Sequence, residues 1–407
     1  MFRGMMILVA IITFMLSAPA VWGEGFTETK LLPSDGAAGD NFGMRVSIDG
    51  HLAVVSSDHD DDHGADSGSV HVFRFDTGAG TWDHEAKLLA SDGAAGDRFG
   101  IACSVFNGVI VVGAQWDDNN GNNSGSAYVF RYNTGTGTWD EEEKLLPADG
   151  AAEDCFGTQC SISNDVIVVG SRYDDDNGSN SGSAYVFRYN AGTGTWDEEA
   201  KLLASDGASG DSFGMSVSND GDVIVVGAYW DDEFGTDSGS AYVFRYDSIT
   251  GTWSEEAELL PSDGAAGDQF GTVSISGNTA LVSALHDNAS TGAAYVFRYD
   301  PGTESWPEED KLLAHDGAAD DWFGSMVCLK GNMAVIGARE DDDNGTDSGS
   351  AYIFRYNSGT GTWTEDSKLL PSDGAGGDEF GVGVAVSGDF ILVGARYIVV
   401  WENWTGE

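Results

Sequence analysis

Short acidic clusters recur along this sequence and are its clearest candidates for chemistry. Each cluster has three consecutive polar residues, and a glycine follows two positions later, as in Asp174-Asp175-Asp176 before Gly178. In locally extended backbone the two outer side chains point to the same side, which supplies the paired oxygens that calcium prefers. The glycine permits the sharp turn that wraps a loop around an ion.

Five clusters keep this register, and we predict that they bind calcium. Three adjacent carboxylates repel one another, and a divalent ion would relieve that repulsion. The predicted ligands are Asp60, Asp62, Asp66, Asp117, Asn119, Asp174, Asp176, Asp231, Glu233, Asp341 and Asp343. Two alternatives stay open: Mg²⁺ in place of calcium, and solvated loops that bind no ion and keep the protein soluble.

The sequence shows no recognisable catalytic motif. Its seven histidines are dispersed, and no G-x-S-x-G, phosphate-binding loop or H-E-x-x-H is present. Three tryptophans, Trp116, Trp230 and Trp322, depart from the repeated pattern near the acidic clusters and are candidates for ligand contact. These observations favour a protein that is not an enzyme.

The acidic clusters belong to a repeated unit that begins with Phe-Gly. The successive intervals between these pairs are 57, 57, 57, 57, 53 and 57 residues, which defines seven copies. The phenylalanines are Phe42, Phe99, Phe156, Phe213, Phe270, Phe323 and Phe380. A fixed period of this length indicates a repeat architecture in which each copy packs on its neighbours.

Each copy contains four strand-like runs and no sustained helical period. In the third copy the second run, Val166 to Ser171, is apolar and β-branched, and the third alternates Tyr185, Phe187 and Tyr189 with other residues. Four antiparallel strands in each of seven copies predict an all-β fold, a seven-bladed β-propeller. The loops joining strands two and three should share one strongly acidic face with the loops between blades.

The two ends of the chain predict how the ring closes. Residues 1–23 read as a signal peptide, with Arg3 before an apolar run from Ile7 to Leu16; an uncleaved membrane anchor is the competing interpretation. Phe26 to Leu32 matches a fourth strand, and Tyr397 to Trp401 matches a third strand. Pairing these two segments would close the ring and remove its open edge. The propeller is therefore predicted to span residues 26–407 as one domain.

The charge balance limits the possible partners and the location. The formal net charge is −48, from 67 acidic and 19 basic residues, so binding to nucleic acid or to anionic membranes is not expected. We predict a secreted or cell-surface protein that does not insert into the membrane after signal cleavage. Five N-glycosylation triplets, beginning at Asn122, Asn177, Asn288, Asn344 and Asn403, are consistent with a glycoprotein.

The repeated unit resembles a known family. Phe-Gly openings, with Gly-Ala after the second strand at Gly113-Ala114, Gly227-Ala228, Gly337-Ala338 and Gly394-Ala395, are similar to the FG-GAP repeat. The resemblance covers residues 26 to 407 and implies the seven-bladed propeller of integrin α subunits. The integrin calcium loop lies between strands one and two, where this chain has only a short turn, so that site does not carry over.

The resemblance also implies a function. An integrin-like propeller would act as a calcium-dependent adhesion or recognition module whose acidic face binds an extracellular protein or a glycan. Two alternatives stay open: a propeller hydrolase that uses acidic residues near the central channel, and a structural envelope protein with solvated acidic loops.

Overall fold

The computed structural model describes residues 9–14 and 26–396, which form four-stranded antiparallel sheets arranged as a propeller. The first strands are β1 (Val9–Phe14), β2 (Phe26–Leu31), β3 (Phe42–Asp49), β4 (Leu52–Ser57), β5 (Ser69–Asp76), β6 (Thr81–Leu88), β7 (Ala102–Phe106), β8 (Val109–Ala114), β9 (Ser126–Asn133) and β10 (Thr138–Leu145). Next come β11 (Phe156–Ser163), β12 (Val166–Ser171), β13 (Ser183–Asn190), β14 (Thr195–Leu202), β15 (Ser216–Asp220), β16 (Val223–Ala228), β17 (Ser240–Asp247) and β18 (Thr252–Leu259). The last are β19 (Phe270–Ser276), β20 (Thr279–Ala284), a short turn α1 (Asp287–Ser290), β21 (Ala293–Arg298), β22 (Glu308–Leu312), β23 (Phe323–Lys330), β24 (Met333–Ala338), β25 (Ser350–Asn357), β26 (Thr362–Leu369), β27 (Gly383–Ser387) and β28 (Phe390–Gly394).

Six of the sheets are each built from one continuous stretch of chain. From β3 to β26, every four successive strands form one sheet in sequence order, and we number these sheets one to six. A further sheet, the seventh, has the order β2-β1-β28-β27 and so combines strands from both ends of the chain. Among the described residues, no helix is long and apolar enough to cross a membrane.

The seventh sheet differs from the pairing predicted for the two ends. Strand β2 pairs with β1, and β1 pairs with β28, with Val9 opposite Leu31 on one side and Gly394 on the other. Strand β1 falls within the predicted signal peptide, whose β-branched apolar run suits a buried strand as well as a signal core. The predicted partner of β2, Tyr397 to Trp401, lies outside the described residues.

The Phe-Gly pairs interlock adjacent sheets. Each Phe side chain is fully buried, and Phe156 packs edge-on against Tyr185 at 5.5 Å and Phe187 at 6.0 Å between ring centroids. Gly125, at the end of the preceding acidic loop, forms a parallel bridge with Phe156. A Cβ on Gly125 would lie 1.9 Å from the Phe156 carbonyl oxygen, so only glycine permits this close approach.

Hydrogen bonds also connect neighbouring sheets at their inner and outer strands. On the inner strands, Ser47 Oγ accepts from the Val105 amide at 3.1 Å, and Ser387 Oγ accepts from the Gly50 amide at 2.9 Å, which joins the seventh sheet to the first. On the outer strands, Trp139 Nε1 donates to Glu85 of the preceding sheet at 2.7 Å. The same contact with the preceding sheet is made by the tryptophans at the equivalent position of later copies, Trp196, Trp253, Trp306 and Trp363.

Candidate functional site

Two groups of loops meet on one face of the propeller. The acidic loops (residues 60–68, 117–125, 174–182, 231–239, 287–292 and 341–349) join the second and third strands of sheets one to six. The connecting loop before each of sheets two to six places one of its aspartates beside the acidic loop. In the third sheet, Tyr185 Oη donates towards Asp149 of a connecting loop at 2.7 Å and Asp174 of the acidic loop at 2.8 Å.

A lysine ammonium binds the carboxylates of the acidic loop in five of these sheets. In the third sheet, Lys201 Nζ lies 2.8 Å from Asp149, 2.9 Å from Asp174 and 2.7 Å from Asp176. Burial alone would lower the pKa of Lys201, but the contacts with the carboxylates raise it above its ordinary value. The equivalent lysines are Lys87, Lys144, Lys311 and Lys368.

The predicted calcium ligands take part in these lysine contacts to different degrees. Asp60 and Asp62 bind Lys87, Asp117 binds Lys144, Asp174 and Asp176 bind Lys201, and Asp341 and Asp343 bind Lys368. Asn119 donates to Asp117, while Asp66 lies 3.6 Å from His59 Nδ1. No group of three or more His, Cys, Asp or Glu side chains within residues 9–14 and 26–396 is arranged to hold a metal ion. Calcium binding stays a prediction, and an ion would compete with an ammonium group for the same oxygens.

The fourth sheet departs from this pattern because Glu258 stands where the sister sheets have lysine. Asp206 and Asp231 accept from Tyr242 Oη at 3.0 and 2.9 Å, and Ser240 Oγ donates to Glu258 at 3.2 Å. Burial, followed by the neighbouring Asp206 and Asp231 carboxylates, raises the pKa of Glu258 to about 7. We call Asp206, Asp231, Glu233 and Glu258 the fourth-sheet cluster.

A second region of this face is built from positions that differ between copies. One variable position follows the second strand and the other precedes Phe-Gly, so both lie beside the start of the acidic loops. The first position holds Asp58, Gln115, Arg172, Tyr229, Leu285, Arg339 and Arg396, and the second holds Asn41, Arg98, Cys155, Ser212, Gln269, Trp322 and Glu379. We call these residues, with their neighbours Arg45, His59, Trp116, Tyr173, His286 and Glu340, the central site.

Residues from distant sheets meet in the central site. Burial lowers the pKa of Arg45, which lies in the first sheet. Tyr229 of the fourth sheet and Asp58 act to raise this pKa, and Arg339 of the sixth sheet acts to lower it further. Tyr229 Oη is 2.7 Å from Thr272 Oγ1 of the fifth sheet. Arg45 and Tyr229 belong to sheets three places apart, so their interaction runs across the middle of the ring, whereas Tyr229 and Thr272 belong to neighbouring sheets.

One edge of the central site carries an aspartate–histidine pair beside an arginine. Asp58 Oδ2 lies 3.5 Å from His59 Nε2 and 3.4 Å from Arg98 Nη1. The Asp58 side chain is 2% exposed, and its Oδ1 has no hydrogen-bond partner among the described residues. Arg98 stacks on Trp116, with Cζ 4.4 Å from the ring centroid.

The other edge carries a second histidine and a second stacked arginine. Arg339 Cζ lies 4.6 Å from the Trp322 ring centroid, and His286 packs edge-on against Trp322 at 5.2 Å. Burial and then Arg339 lower the pKa of His286. Two of the three tryptophans predicted from the sequence to contact a ligand, Trp116 and Trp322, therefore stack on arginines. Trp230 occupies the position in the fourth sheet that Trp116 occupies in the second.

Sequence reasoning missed both the lysines and the central arginines. The recurrence of the lysines at a fixed position of the unit, broken only by Glu258, was a readable signal. The arginines stand at three different positions of the unit, so no single repeated column reveals them. A surface cleft lined by Arg188, Tyr189 and Glu199 lies on the outer edge, away from this region, and consists of residues repeated in sister sheets.

Solved structures share this fold at low sequence identity. A protein from Lactobacillus plantarum aligns with a TM-score of 0.54 and 13% identity, over 91% of this chain and 98% of that chain. A putative 6-phosphogluconolactonase from Bacteroides fragilis gives 0.54 and 13%, over 90% and 96% of the two chains. The periplasmic gluconolactonase of Pseudomonas aeruginosa gives 0.54 and 12%, over 91% and 98%. No curated protein matches the sequence.

These structures correct the functional prediction made from the sequence. The main interpretation, a non-enzymatic adhesion or recognition module, is wrong, because propellers with this fold are named as lactonases. The alternative of a propeller hydrolase is better supported. At 12–13% identity the likeness itself establishes only the fold, so the chemistry has to be argued from this chain's own residues.

The repeated unit, in contrast, is recognised directly in the sequence. The model of the FG-GAP repeat matches residues 26–73, 82–130, 139–187, 196–244, 253–297, 306–354 and 363–399. These seven stretches cover most of the chain and include each Phe-Gly pair described above. The chain belongs to the FG-GAP repeat family.

Proposed function

We propose that the protein is a propeller hydrolase that cleaves a small ester or lactone at the central site. The observation that carries this proposal is the Asp58–His59 pair beside Arg98, at positions where the repeat is broken. Residues that every copy needs for packing are repeated, whereas these are not. The lactonases of the same fold supply the substrate class as a hypothesis.

His59 serves as the general base of the proposed reaction. Its Nδ1 lies 3.6 Å from the exposed Asp66 carboxylate, and we assign the proton of the neutral ring to that nitrogen. We assign to its Nε2, which is buried and has no hydrogen-bond partner among the described residues, the role of accepting a proton from water while the water oxygen attacks the carbonyl carbon. The Asp58 carboxylate, 3.5 Å away, stabilises the imidazolium that forms.

Arg98 contributes the positive charge that the reaction needs. The carbonyl oxygen becomes an oxyanion as the water adds, and a guanidinium beside the dyad stabilises that charge. The bond from the carbonyl carbon to the leaving oxygen then breaks, and that oxygen takes the proton from His59. The products are an acid and an alcohol, joined in one hydroxy acid when the substrate is a lactone, and water is the only co-reactant.

A hydrolysis screen tests the proposal. Sugar lactones and short aryl esters are offered to the wild type, to His59→Gln and to His315→Gln, a control in which an exposed histidine on a connecting loop is changed. We expect His59→Gln to lower kcat by about 100-fold or more, because general base catalysis contributes that factor. His315→Gln should keep wild-type kcat. Activity in His59→Gln equal to wild type, or no turnover of any substrate, would refute the proposal.

Two further features belong to the same proposal. We propose that residues 1–23 are removed on export, which makes the protein secreted or attached to the cell surface. After removal of β1, Tyr397 to Trp401 would pair with β2 and β28 and complete a seven-bladed ring closed by the N-terminal strand. N-terminal sequencing of the exported protein tests this: the expected first residue is Glu24, and a first residue at or before Phe14, which would leave β1 in place, would contradict the proposal.

A further inference from the structure

The positive charges of this protein have an uneven distribution. Of its 19 basic residues, six are lysines that bind loop carboxylates: Lys30, Lys87, Lys144, Lys201, Lys311 and Lys368. Six are arginines paired with an acid of the fourth strand: Arg74, Arg131, Arg188, Arg245, Arg298 and Arg355. Apart from Arg3 and Lys330, the remaining basic residues are Arg45, Arg98, Arg172, Arg339 and Arg396, and all five belong to the central site.

The central arginines are only partly neutralised. Asp58 lies 3.4 Å from Arg98, Glu340 lies 3.3 Å from Arg339, and Glu379 lies 3.6 Å from Arg396. Within the described residues, neither Arg45 nor Arg172 forms an ion pair with a carboxylate. The central site as defined above holds five arginines and three acidic residues, although the whole chain has a formal charge of −48.

Several polar atoms of the site are also left without a partner. Among the described residues, the Nε atoms of Arg45, Arg98 and Arg172 are buried and make no hydrogen bond. The same holds for Asp58 Oδ1, on a side chain that is 2% exposed. A buried polar atom without a partner destabilises the protein by about 1–3 kcal/mol unless water or a ligand satisfies it, so Asp58 Oδ1 and these Nε atoms are candidate contacts for a bound molecule.

We propose that the central site binds an anionic polyhydroxy compound, a sugar acid or a sugar phosphate. Arg45 and Arg339 hold its carboxylate or phosphate group, and Asp58 Oδ1 accepts a hydrogen bond from one of its hydroxyls. This inference rests on the proposed function, because it names the substrate class of the same site.

The chemistry of the side chains selects this class of ligand. Arg45 and Arg339 come from the first and sixth sheets and repel each other, and an anion between them removes that repulsion. The planar guanidinium binds carboxylate and phosphate through two parallel hydrogen bonds. The unpartnered Asp58 oxygen requires a donor, which an anion alone lacks and a sugar hydroxyl supplies.

Calorimetry on the full chain tests the inference with three probes: gluconate, glucose 6-phosphate and uncharged glucose. We expect at least one anion to bind ten times or more tightly than glucose. Arg45→Gln and Arg339→Gln should each weaken the binding of that anion about 10- to 100-fold, the range for a charge-assisted hydrogen bond. The anion that binds with the higher affinity shows whether the site prefers carboxylate or phosphate.

Arg188→Gln is the matched control, because it removes the same charge from an outer arginine that pairs with Glu199. It should bind as the wild type does. Equal binding of anions and glucose, absence of binding, or equal effects of all three substitutions would overturn the inference. Anion binding without turnover would support this inference and refute the proposed hydrolase activity. Turnover of neutral lactones that Arg45→Gln does not change would support the hydrolase activity and refute this inference.

Discussion

The acidic loops and the central site lie side by side on one face, yet they are built in opposite ways. In the acidic loops each buried carboxylate has a repeated partner, as Asp174 has Lys201 and Tyr185. In the central site the residues differ from sheet to sheet, and atoms such as Asp58 Oδ1 have no partner among the described residues. Repetition in this chain thus reflects what every sheet needs to fold, and the departures from it mark the candidate site of function.

Within the acidic loops, one sheet breaks the rule. Lys201 neutralises three carboxylates in the third sheet, while Glu258 adds a fourth carboxyl group to the same arrangement in the fourth. The two sheets share most of the residues of their second and third strands, so they form a natural pair for testing what the lysine contributes.

Removal of the lysine from the third sheet should have the largest effect on stability. Lys201→Gln leaves Asp149, Asp174 and Asp176 without their ammonium partner. Because the Lys201 side chain is only 16% exposed, we expect a loss of about 2–3 kcal/mol in the free energy of unfolding. Chemical denaturation at neutral pH measures this.

Lys330→Gln provides the control for Lys201→Gln, because Lys330 is an exposed lysine at the end of β23. Its free energy of unfolding should stay within about 0.5 kcal/mol of the wild type. Equal losses in the free energy of unfolding for Lys201→Gln and Lys330→Gln would show that the lysines do not stabilise the acidic loops.

The lysine contacts show where sequence analysis succeeded and where it stopped. The fold class follows from the period and from runs such as Val166 to Ser171, because strand patterns are local. The contact between Lys201 and Asp174 joins the outer strand β14 to the loop before the adjacent strand β13, and local spacing does not encode it. The five central arginines come from sheets one, two, three, six and seven, and only the arrangement of the sheets around a common centre brings them to one site.

Ionisation of Glu258 should produce a smaller effect that depends on pH. Its pKa in the folded protein is raised to about 7, above its ordinary value of 4.5, because burial and the carboxylates of Asp206, Asp231 and Glu233 disfavour the charge. The stabilising contribution of protonated Glu258 is therefore complete below about pH 4.5 and is lost as the pH rises through about 7. Wild-type stability should fall across this window.

Glu258→Gln isolates that effect, since glutamine keeps the shape and does not titrate. Other carboxyl groups with raised pKa values, including Asp154 and Asp211 at about 6, titrate in both proteins. The difference in free energy of unfolding between variant and wild type, measured by denaturation from about pH 4.5 to 8, should increase with pH. A difference that stays constant with pH would contradict the assignment.

Calcium should have the smallest effect, and it should depend on whether the lysine is present. In the wild type the Lys201 ammonium competes for Asp174 and Asp176, so added calcium should change Tm little through this loop. In Lys201→Gln the three free carboxylates should bind the ion, and Tm should rise by a few degrees more than in the wild type. Thermal melts with calcium and with chelator measure this. Equal changes in Tm for the two proteins would contradict the prediction that these carboxylates bind calcium.

The central claim is that ligands bind where the repeat is broken. A crystal structure of the protein soaked with gluconate, at a concentration that saturates binding by calorimetry, tests it most directly. The account predicts gluconate density between Arg45 and Arg339, with a hydroxyl beside Asp58. Density at the acidic loops or along the outer strands, with the central site unchanged, would contradict it.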